Sequence, residues 1–451
     1  MRKIDLRILP MLALMYLMAF LDRVNIGNAN VFGLSEELGL SGVQYNVALC
    51  IFFIPYILFE IPSNVLLKIM KPHVFLSGCM FMFGMVTFAQ GFVTSYSGLI
   101  ATRFFLGFFE TGIFPGCFYL LAMWYKRDES QKRFTFFFLS TVLAGAFGGL
   151  LASAIGKMDG HAGKNAWRWI FIIEGAATAA IAILGYFLVT DFPEDAKWLT
   201  PLEKEWVKAK LKKDVGASGK EKKSVTIKDL KVIFTDYKFI ICALMYFGFL
   251  IPAYGYAYFA PTIIKGWKYD NIETQLRTVP VWAVAFVFSM IIAYFSDRSQ
   301  HRFLYLVFPV MLGIIGFIIL LTVHDNIKVQ YFALFLALMG TFGPTPICIC
   351  WFSTNLAGHK RRAVGSAFQI AFGNLGGIVA TFLFLTKDAP RYTNGYSVCL
   401  AALVLSILCA TAYWYGIRKE NALREAGKAG VVPENDDDDV GDTHRDFRYM
   451  H

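Results

Sequence analysis

Twelve long apolar stretches constrain this chain more than any other feature of its sequence. They lie at 6–30, 44–67, 73–92, 96–124, 133–156, 167–190, 238–263, 276–296, 303–322, 329–352, 363–386 and 396–417. A helix needs about 20 apolar residues to cross the hydrocarbon core of a bilayer. Because the chain is 56% hydrophobic and only 17% charged, we predict an all-α membrane protein whose twelve transmembrane helices contact the lipid bilayer.

A polar interval divides these twelve spans into two groups of six. The resulting plan is a first six-helix bundle at 1–190, a linker at 191–236, a second six-helix bundle at 237–418 and a polar tail at 419–451. The linker is rich in lysine and contains a Gly-Ser hinge around Gly216–Gly219, as flexible connections do. The tail contains the acidic run Asp436–Asp439 and is predicted to be unstructured.

Basic residues mark one side of the predicted bundles. Cytosolic loops of membrane proteins are enriched in Lys and Arg, and the loops after spans 1 and 3 contain neither. Both termini, the linker and the tail are therefore predicted to be cytosolic. Because the basic residues scatter over several loops, they do not indicate a nucleic-acid-binding surface. The basic residues on the predicted cytosolic side include Lys68, Lys71, Lys126, Arg127, Lys132, Arg133, Arg298, Arg302, Lys360, Arg361 and Arg362.

An internal repeat supports the division into two bundles. A shift of 228 residues places Lys132 on Lys360, and it also places Gly145 and Gly149 on Gly373 and Gly377. Spans 5 and 11 therefore look like copies of one element, as in transporters built from two parallel six-helix repeats. The same shift places Arg103 and Glu110 on Tyr331 and Leu338, so the charges are confined to the first copy.

Four charged residues interrupt the apolar spans of the first half. Asp22 and Arg23 lie in span 1, and Arg103 and Glu110 lie in span 4. A charge inside the bilayer is costly unless it is paired or faces a water-filled path, so such residues usually carry function. Arg103, Gly107 and Glu110 fall on one helix face at i, i+4 and i+7, and we expect the glycine to leave that face open.

Several motifs give the chain a family resemblance. They are LDRVNIGNA in span 1, EIPSN at residues 60–64, RFFLGFFETGIFPG in span 4, WRWIFIIEG leading into span 6, SDRSQHR after span 8 and GNLGG in span 11. Together they resemble the anion:cation symporter family of the major facilitator superfamily. They are most similar to its fungal branch of allantoate, nicotinate, pantothenate and biotin permeases. The loop SDRSQHR is similar to the cytosolic Asp-Arg motif of the superfamily.

The resemblance implies roles for the four charged residues. Arg23 would bind the carboxylate of the substrate, Asp22 and Glu110 would be proton sites, and Arg103 would couple them. The resemblance also implies that the coupling ion is H⁺, with sodium coupling or uniport as alternatives.

Other polar residues are assigned from their type and position. Asn25 either lines the cavity or hydrogen-bonds between helices, and Glu174 is expected to be held near the outer end of span 6. The remaining candidates for substrate binding are Tyr254, Tyr258, Gln369 and Asn374, and those for gating are Glu60, Asp297 and Arg298.

These observations predict a secondary transporter and not an enzyme, since the spans contain no catalytic pair such as HExxH. We expect a monomer in the plasma membrane that takes up a small organic anion with a proton, by alternating access and without a cofactor. The alternative is a nutrient receptor that binds the same anion and signals without net transport.

Overall fold

The structure is a computed structural model that describes residues 1–125, 127–196, 198–215, 236–299, 301–356, 359–430, 445 and 447–450. The Gly-Ser hinge predicted at Gly216–Gly219 and the acidic run Asp436–Asp439 lie outside these residues. Within the described ranges, all regular secondary structure is helical. The α-helices are α1 (Arg2–Val31), α2 (Leu34–Glu37), α3 (Gln44–Cys50), α4 (Phe53–Ile69), α5 (Pro72–Gln90), α6 (Tyr96–Glu110), α7 (Ile113–Trp124), α8 (Arg127–Ile155), α9 (Ala166–Leu188), α10 (Pro201–Val215), α11 (Tyr237–Lys265), α12 (Asn271–Ser299), α13 (Arg302–Thr322), α14 (Ile327–Phe342), α15 (Pro344–Thr354), α16 (His359–Thr381) and α17 (Thr393–Glu425).

These helices supply the predicted membrane spans. Among the described residues, eleven helical segments are long and apolar enough to cross a bilayer. The remaining predicted span, span 2, consists of α3 and α4, and its apolar stretch Gln44–Glu60 is shorter. Spans 4 and 10 are also broken, into α6 with α7 and α14 with α15. The predicted all-α membrane fold is therefore confirmed, with interruptions in three spans that the hydropathy pattern did not reveal.

Short glycine contacts bring the two bundles together. A Cβ atom on Gly149 in span 5 would lie 2.5 Å from Oγ1 of Thr278 in span 8, and one on Gly377 in span 11 would lie 2.3 Å from the ring of Phe53 in span 2. These two glycines are the pair that the internal repeat aligns. In both copies of the repeat, the absence of a side chain at this glycine allows close approach to the other bundle.

Three hydrogen bonds join the bundles on the side opposite the chain termini, which we call the far side. Asn46 donates to the carbonyl oxygen of Thr381 at 2.6 Å, and Lys265 donates to that of Val31 at 2.6 Å. Gln275 donates to the carbonyl oxygen of Asn28 at 3.4 Å. These contacts close the far side of the protein.

Glu37 organises the far-side loops of the first bundle. Its carboxylate accepts hydrogen bonds from Nε and Nη2 of Arg168 at 2.9 and 2.7 Å, from Trp167 at 2.5 Å and from Asn165 at 2.6 Å. Burial tends to raise the pKa of Glu37, but the hydrogen bonds from these residues outweigh it and hold the pKa below 4.5. A carboxylate with a lowered pKa stabilises the fold above its ordinary pKa, and that contribution is lost as the pH falls through the lowered value.

We therefore expect Glu37→Gln to lower the melting temperature of the purified protein by about 2 °C at neutral pH, since hydrogen bonds to a charged group contribute roughly 1.5–3 kcal/mol. The difference from the wild type should shrink as the pH falls below the pKa of Glu37. Melting curves between acidic and neutral pH measure both effects, with Glu36→Gln as the control because Glu36 is the adjacent acidic residue of α2 and Arg168 pairs with Glu37 instead. A difference that does not change with pH would contradict this account.

The described part of the tail, residues 419–430, 445 and 447–450, corrects the prediction that the tail is unstructured. Helix α17 continues to Glu425, and Tyr449 is buried near the other end of the tail. The backbone of Tyr449 exchanges two hydrogen bonds with the side chain of Asn421, and Met450 does the same with Asn355. The side-chain amides of these two asparagines imitate a backbone partner, which composition alone does not reveal.

Candidate functional site

The centre of the protein contains a buried ion pair between spans 1 and 4. Nε of Arg23 donates to Oε1 of Glu110 at 2.9 Å, and Nη2 of Arg23 donates to the same oxygen. The other carboxylate oxygen of Glu110 makes no hydrogen bond. Both side chains are almost completely buried, so this ion pair is shielded from solvent.

The second bundle completes the coordination of Arg23. Nη1 of Arg23 donates to the hydroxyl of Tyr254 at 2.6 Å, and that hydroxyl donates to Oδ1 of Asn374 at 3.3 Å. The ring of Tyr258 stacks on that of Tyr254, with centroids 5.9 Å apart. The structure therefore brings Tyr254 of the second bundle against the arginine of the first, and it places Asn374 and Tyr258, also predicted for substrate binding, against Tyr254.

Arg103 is the second buried guanidinium of the site. Its Nη2 donates to the backbone carbonyl of Arg23 at 3.2 Å, while its Nε and Nη1 have no partner. The side chain is fully buried. Two guanidinium groups and one carboxylate thus meet at the centre, so the site has an excess of positive charge and unused N–H donors.

Gly107 contradicts the expectation of an open helix face between Arg103 and Glu110. A Cβ atom at this glycine would lie 2.0 Å from the carbonyl oxygen of Phe52, so backbone from span 2 occupies the space. The reason is the break between α3 and α4, which brings residues 51 and 52 against α6. The glycine permits close helix packing and does not leave a cavity.

Aromatic rings surround Arg23, and the sequence did not single out most of them. The guanidinium carbon of Arg23 lies 5.1 Å from the ring centroids of both Phe52 and Tyr56. The guanidinium of Arg103 lies over the same ring of Phe52, at 5.7 Å. Aromatic rings that lie this close to a guanidinium stabilise its positive charge where water is excluded. In the sequence, only their location in span 2 could have indicated this role, and many other aromatic residues also lie in predicted spans.

Two predicted substrate-binding residues lie elsewhere. Asn25 donates to Glu174 of span 6 and accepts from Asn28 at 3.1 Å, so it joins helices within the first bundle. Gln369 donates to the carbonyl oxygen of Cys242 at 3.4 Å, within the second bundle. Neither contacts the Arg23 network, because each lies on a different face of its helix.

The predicted gating residues lie in two different places. Asp297 accepts a hydrogen bond from Arg302 at 2.7 Å within the loop between spans 8 and 9. Arg298 donates instead to the hydroxyl of Tyr294 at 3.4 Å. Glu60 is buried in α4, one helical turn after Tyr56. The structure thus shows local contacts for these residues, and their role in gating stays a prediction.

Asp22 and Glu174 form a second polar site beside the first. Asp22 is fully buried and neither of its carboxylate oxygens makes a hydrogen bond. Glu174 interacts with it electrostatically across the contact of spans 1 and 6. The sequence analysis placed Glu174 near the outer end of span 6, but the helix begins at Ala166, so Glu174 lies about 12 Å along it. The sequence feature that could have revealed this position is an acidic residue more than two turns inside an apolar helix.

The central site is chemically suited to an anion. The guanidinium of Arg23 has the planar donor pattern that can grip both oxygens of a carboxylate, and here two of its nitrogens donate to the single oxygen Oε1 of Glu110. An incoming carboxylate can replace Glu110 on Arg23 or use the free donors of Arg103. Because Tyr254 and Asn374 belong to the other bundle, a ligand on Arg23 would contact both halves of the protein.

Comparisons with known proteins agree with this architecture. The family model described as Major Facilitator Superfamily matches residues 12–381. The chain is 35% identical over 437 residues to the MFS-type transporter cnsO of Penicillium expansum, which covers 94% of this chain and 84% of the relative. It is 31% identical over 457 residues to the high-affinity nicotinic acid transporter of Saccharomyces cerevisiae. This alignment covers 100% of this chain and 84% of the relative.

Solved structures share the fold at low sequence identity. A bacterial homologue of the human lysosomal transporter Spinster, in an inward-facing conformation, superposes with a TM-score of 0.68 at 16% identity, covering 91% of this chain and 96% of its own. A D-xylose–proton symporter superposes with a TM-score of 0.64 at 14% identity, covering 89% of this chain and 97% of its own. At these identities the similarity concerns the fold alone.

Proposed function

Since this chain belongs to the Major Facilitator Superfamily, it is a multi-pass membrane transporter of a small molecule and not an enzyme, and we propose that it takes up an organic monocarboxylate together with a proton. The observation that carries this proposal is the charge balance of the central site. Two buried guanidinium groups face a single carboxylate there, and Arg103 keeps two donor nitrogens without a partner. An anionic substrate would neutralise that excess charge in the membrane interior.

The shape of the surroundings favours an acid with a flat or apolar body. The rings of Phe52, Tyr56 and Tyr254 lie against the guanidinium of Arg23, so a ligand bound through its carboxylate would have these rings beside it. A relative that covers the whole chain is named a high-affinity nicotinic acid transporter. Nicotinate is therefore the first candidate, and pantothenate, biotin and allantoate follow from the resemblance to fungal permeases.

Binding and coupling would share Arg23. In the closed structure this arginine neutralises Glu110. When a substrate carboxylate takes Arg23, Glu110 loses its counter-ion in a dry environment, and a carboxylate without a counter-ion binds a proton more readily. The substrate and a proton would thus enter the site together, with Arg103 holding the backbone of Arg23 beside both.

Translocation would proceed by alternating access. Arg23 belongs to the first bundle, while Tyr254 and Asn374 belong to the second. A ligand that contacts both halves can draw them together, and rocking of the bundles would then open the opposite side. In this proposal the far side faces the exterior, both termini lie in the cytosol, and the protein acts as a monomer in the plasma membrane.

Thermal stability of the purified protein tests the substrate assignment. A ligand that binds only the folded state raises the melting temperature. We expect nicotinate to raise it in a concentration-dependent way, and we expect nicotinamide to leave it unchanged because the amide lacks the negative charge that Arg23 and Arg103 require. A panel of pantothenate, biotin and allantoate identifies the preferred acid. Equal shifts with nicotinate and nicotinamide, or no shift with any acid of the panel, would contradict recognition of a carboxylate.

A further inference from the structure

Asp22 and Glu174 lie together where three spans of the first bundle meet. Glu174 and Asp22 project from spans 6 and 1, and the hydroxyl groups of Thr87 in span 3 and Thr178 in span 6 lie beside Asp22. Glu174 and Thr178 are four residues apart, so they share a face of span 6. Asp22 and Arg23 are neighbours in sequence and project from different faces of span 1, so Asp22 does not take part in the Arg23–Glu110 ion pair, although Glu110 interacts with it electrostatically.

The hydrogen bonding of the acid pair is incomplete. Oε2 of Glu174 accepts from Nδ2 of Asn25, while its Oε1 makes no hydrogen bond. Both carboxylate oxygens of Asp22 and the hydroxyl of Thr178 also make none, although Asp22 and Thr178 are fully buried. The hydroxyl of Thr87 donates to the carbonyl oxygen of Phe83 at 3.1 Å. Buried polar atoms are rarely left without partners, so this region has capacity for a further ligand.

Three basic residues of the surrounding spans already have acidic partners. The guanidinium of Arg23 is held by Glu110 and Tyr254, and that of Arg168 in span 6 by Glu37 and two backbone carbonyls. His73, the histidine of span 3, pairs with Asp191. Among the described residues of spans 1, 3, 5 and 6, no cation forms an ion pair with Asp22 or Glu174.

Two neighbouring carboxyl groups without a cation cannot both be ionised in a dry interior. Each charge would be costly to bury, and each would repel the other. A proton on one group removes both penalties, and it supplies a donor to a group whose oxygens lack one. Aspartic protease dyads share a proton for the same electrostatic reason.

We propose that Asp22 and Glu174 form a proton-carrying acid pair, which makes Glu174 a coupling residue of this transporter. The inference rests on the proposed proton-coupled uptake and assigns to it a second proton site. The step is a reversible protonation. One carboxylate oxygen gains a proton from water on one side of the membrane and releases it to water on the other side. Because Asp22 is adjacent to Arg23, a movement of span 1 that exposes the acid pair would also move the arginine that binds substrate.

Transport by purified protein in proteoliposomes tests this role, with labelled nicotinate as the probe. Glu174→Gln keeps the shape and the hydrogen bond of the side chain but cannot release a proton. We expect it to reduce accumulation driven by a pH gradient at least tenfold while counterflow, which needs no net proton movement, stays within about twofold of the wild type. The pH dependence of counterflow should also flatten, which a purely structural residue would not cause.

Two further variants keep the test decisive if Glu174→Gln folds poorly. Glu174→Asp retains an acid and should restore much of the gradient-driven accumulation. Glu37→Gln removes a carboxylate in the far-side loops and leaves the acid pair intact, so it should accumulate nicotinate as the wild type does. Rescue by aspartate alone would support proton transfer at this position, whereas equal losses in both Glu174 variants would indicate packing and overturn the proposal.

The outcomes separate this inference from the proposed function. If the wild type does not accumulate nicotinate or another acid of the panel in a pH gradient, the proposed function fails. If the wild type does so and Glu174→Gln does so equally well, only the acid pair is refuted. Accumulation that follows a sodium gradient would also overturn the pair as a proton site, since its oxygens would then be ligands of a metal cation.

Discussion

Replacing Arg23 by lysine is expected to raise the KM for uptake by roughly 30-fold to 100-fold, although the charge is kept. Arg23 uses three nitrogens at once, two toward Glu110 and one toward Tyr254. Lysine has a single ammonium group, so it cannot reproduce a two-point grip on a carboxylate while it contacts the second bundle. The loss of one or two charge-assisted hydrogen bonds, about 2–3 kcal/mol, corresponds to that change in affinity. Initial uptake rates over a range of substrate concentrations measure it.

A matched arginine outside the site provides the control. Arg133 also grips a carboxylate with two nitrogens, at 2.6 and 2.9 Å from the oxygens of Asp5. That pair lies toward the side of the protein that carries the N-terminus, so Arg133→Lys should leave the KM near the wild-type value. If Arg23→Lys took up substrate with near-normal affinity, Arg23 would not be part of the substrate site.

Replacing Glu110 by glutamine is expected to abolish accumulation against a gradient while substrate exchange persists. Glutamine resembles the protonated acid in shape and hydrogen bonding but cannot release a proton. It also competes less well than a carboxylate for Arg23, so binding of the substrate anion should be retained or tightened. Counterflow and uptake driven by a pH gradient, measured side by side in proteoliposomes, separate the two effects.

The control for Glu110→Gln is Glu37→Gln, which also removes a carboxylate held by an arginine. Glu37 lies in the far-side loops outside the spans, so this variant should accumulate substrate as the wild type does. If Glu110→Gln still accumulated substrate in response to an imposed pH gradient, Glu110 would not be an essential proton site. Coupling would then rest on Asp22 and its neighbour Glu174.

The sequence predicted the fold well because hydropathy reports directly on the length of a membrane span. It did not predict the breaks in spans 2, 4 and 10, since apolar residues are equally suitable on both sides of a break. The consequence is visible at Gly107, where the carbonyl group of Phe52 occupies the space that we expected to be open.

Only some residues of the central site could be predicted from the sequence. Charges in a span are conspicuous, so Arg23, Arg103 and Glu110 could be identified from the sequence, and the structure places them together with Tyr254 and Asn374. Neutral amides carry no such signal. Their role depends on which way the helix faces, and that is set by packing between helices. The sequence therefore left two roles open for Asn25, of which the structure shows the hydrogen bond between helices, and it did not predict the contact of Gln369 with Cys242.

Glu174 shows how an assignment can fail for a charged residue too. Its position in the sequence predicted a residue held near the outer end of span 6. In the structure Arg168 turns to Glu37, while Glu174 faces Asn25 and Asp22. The loop that contains Glu37 is distant from span 6 in the sequence, so the spacing of residues along span 6 did not reveal these contacts.

Uptake of labelled nicotinate, or of the acid that the thermal-shift panel prefers, into proteoliposomes tests the central claim most directly. The measurement compares an acidic exterior with equal pH on both sides, in the absence of sodium. Our account predicts accumulation above the equilibrium level only with the acidic exterior, and its collapse when a protonophore dissipates the gradient. Equilibration to the same level with and without the pH gradient would contradict proton-coupled uptake.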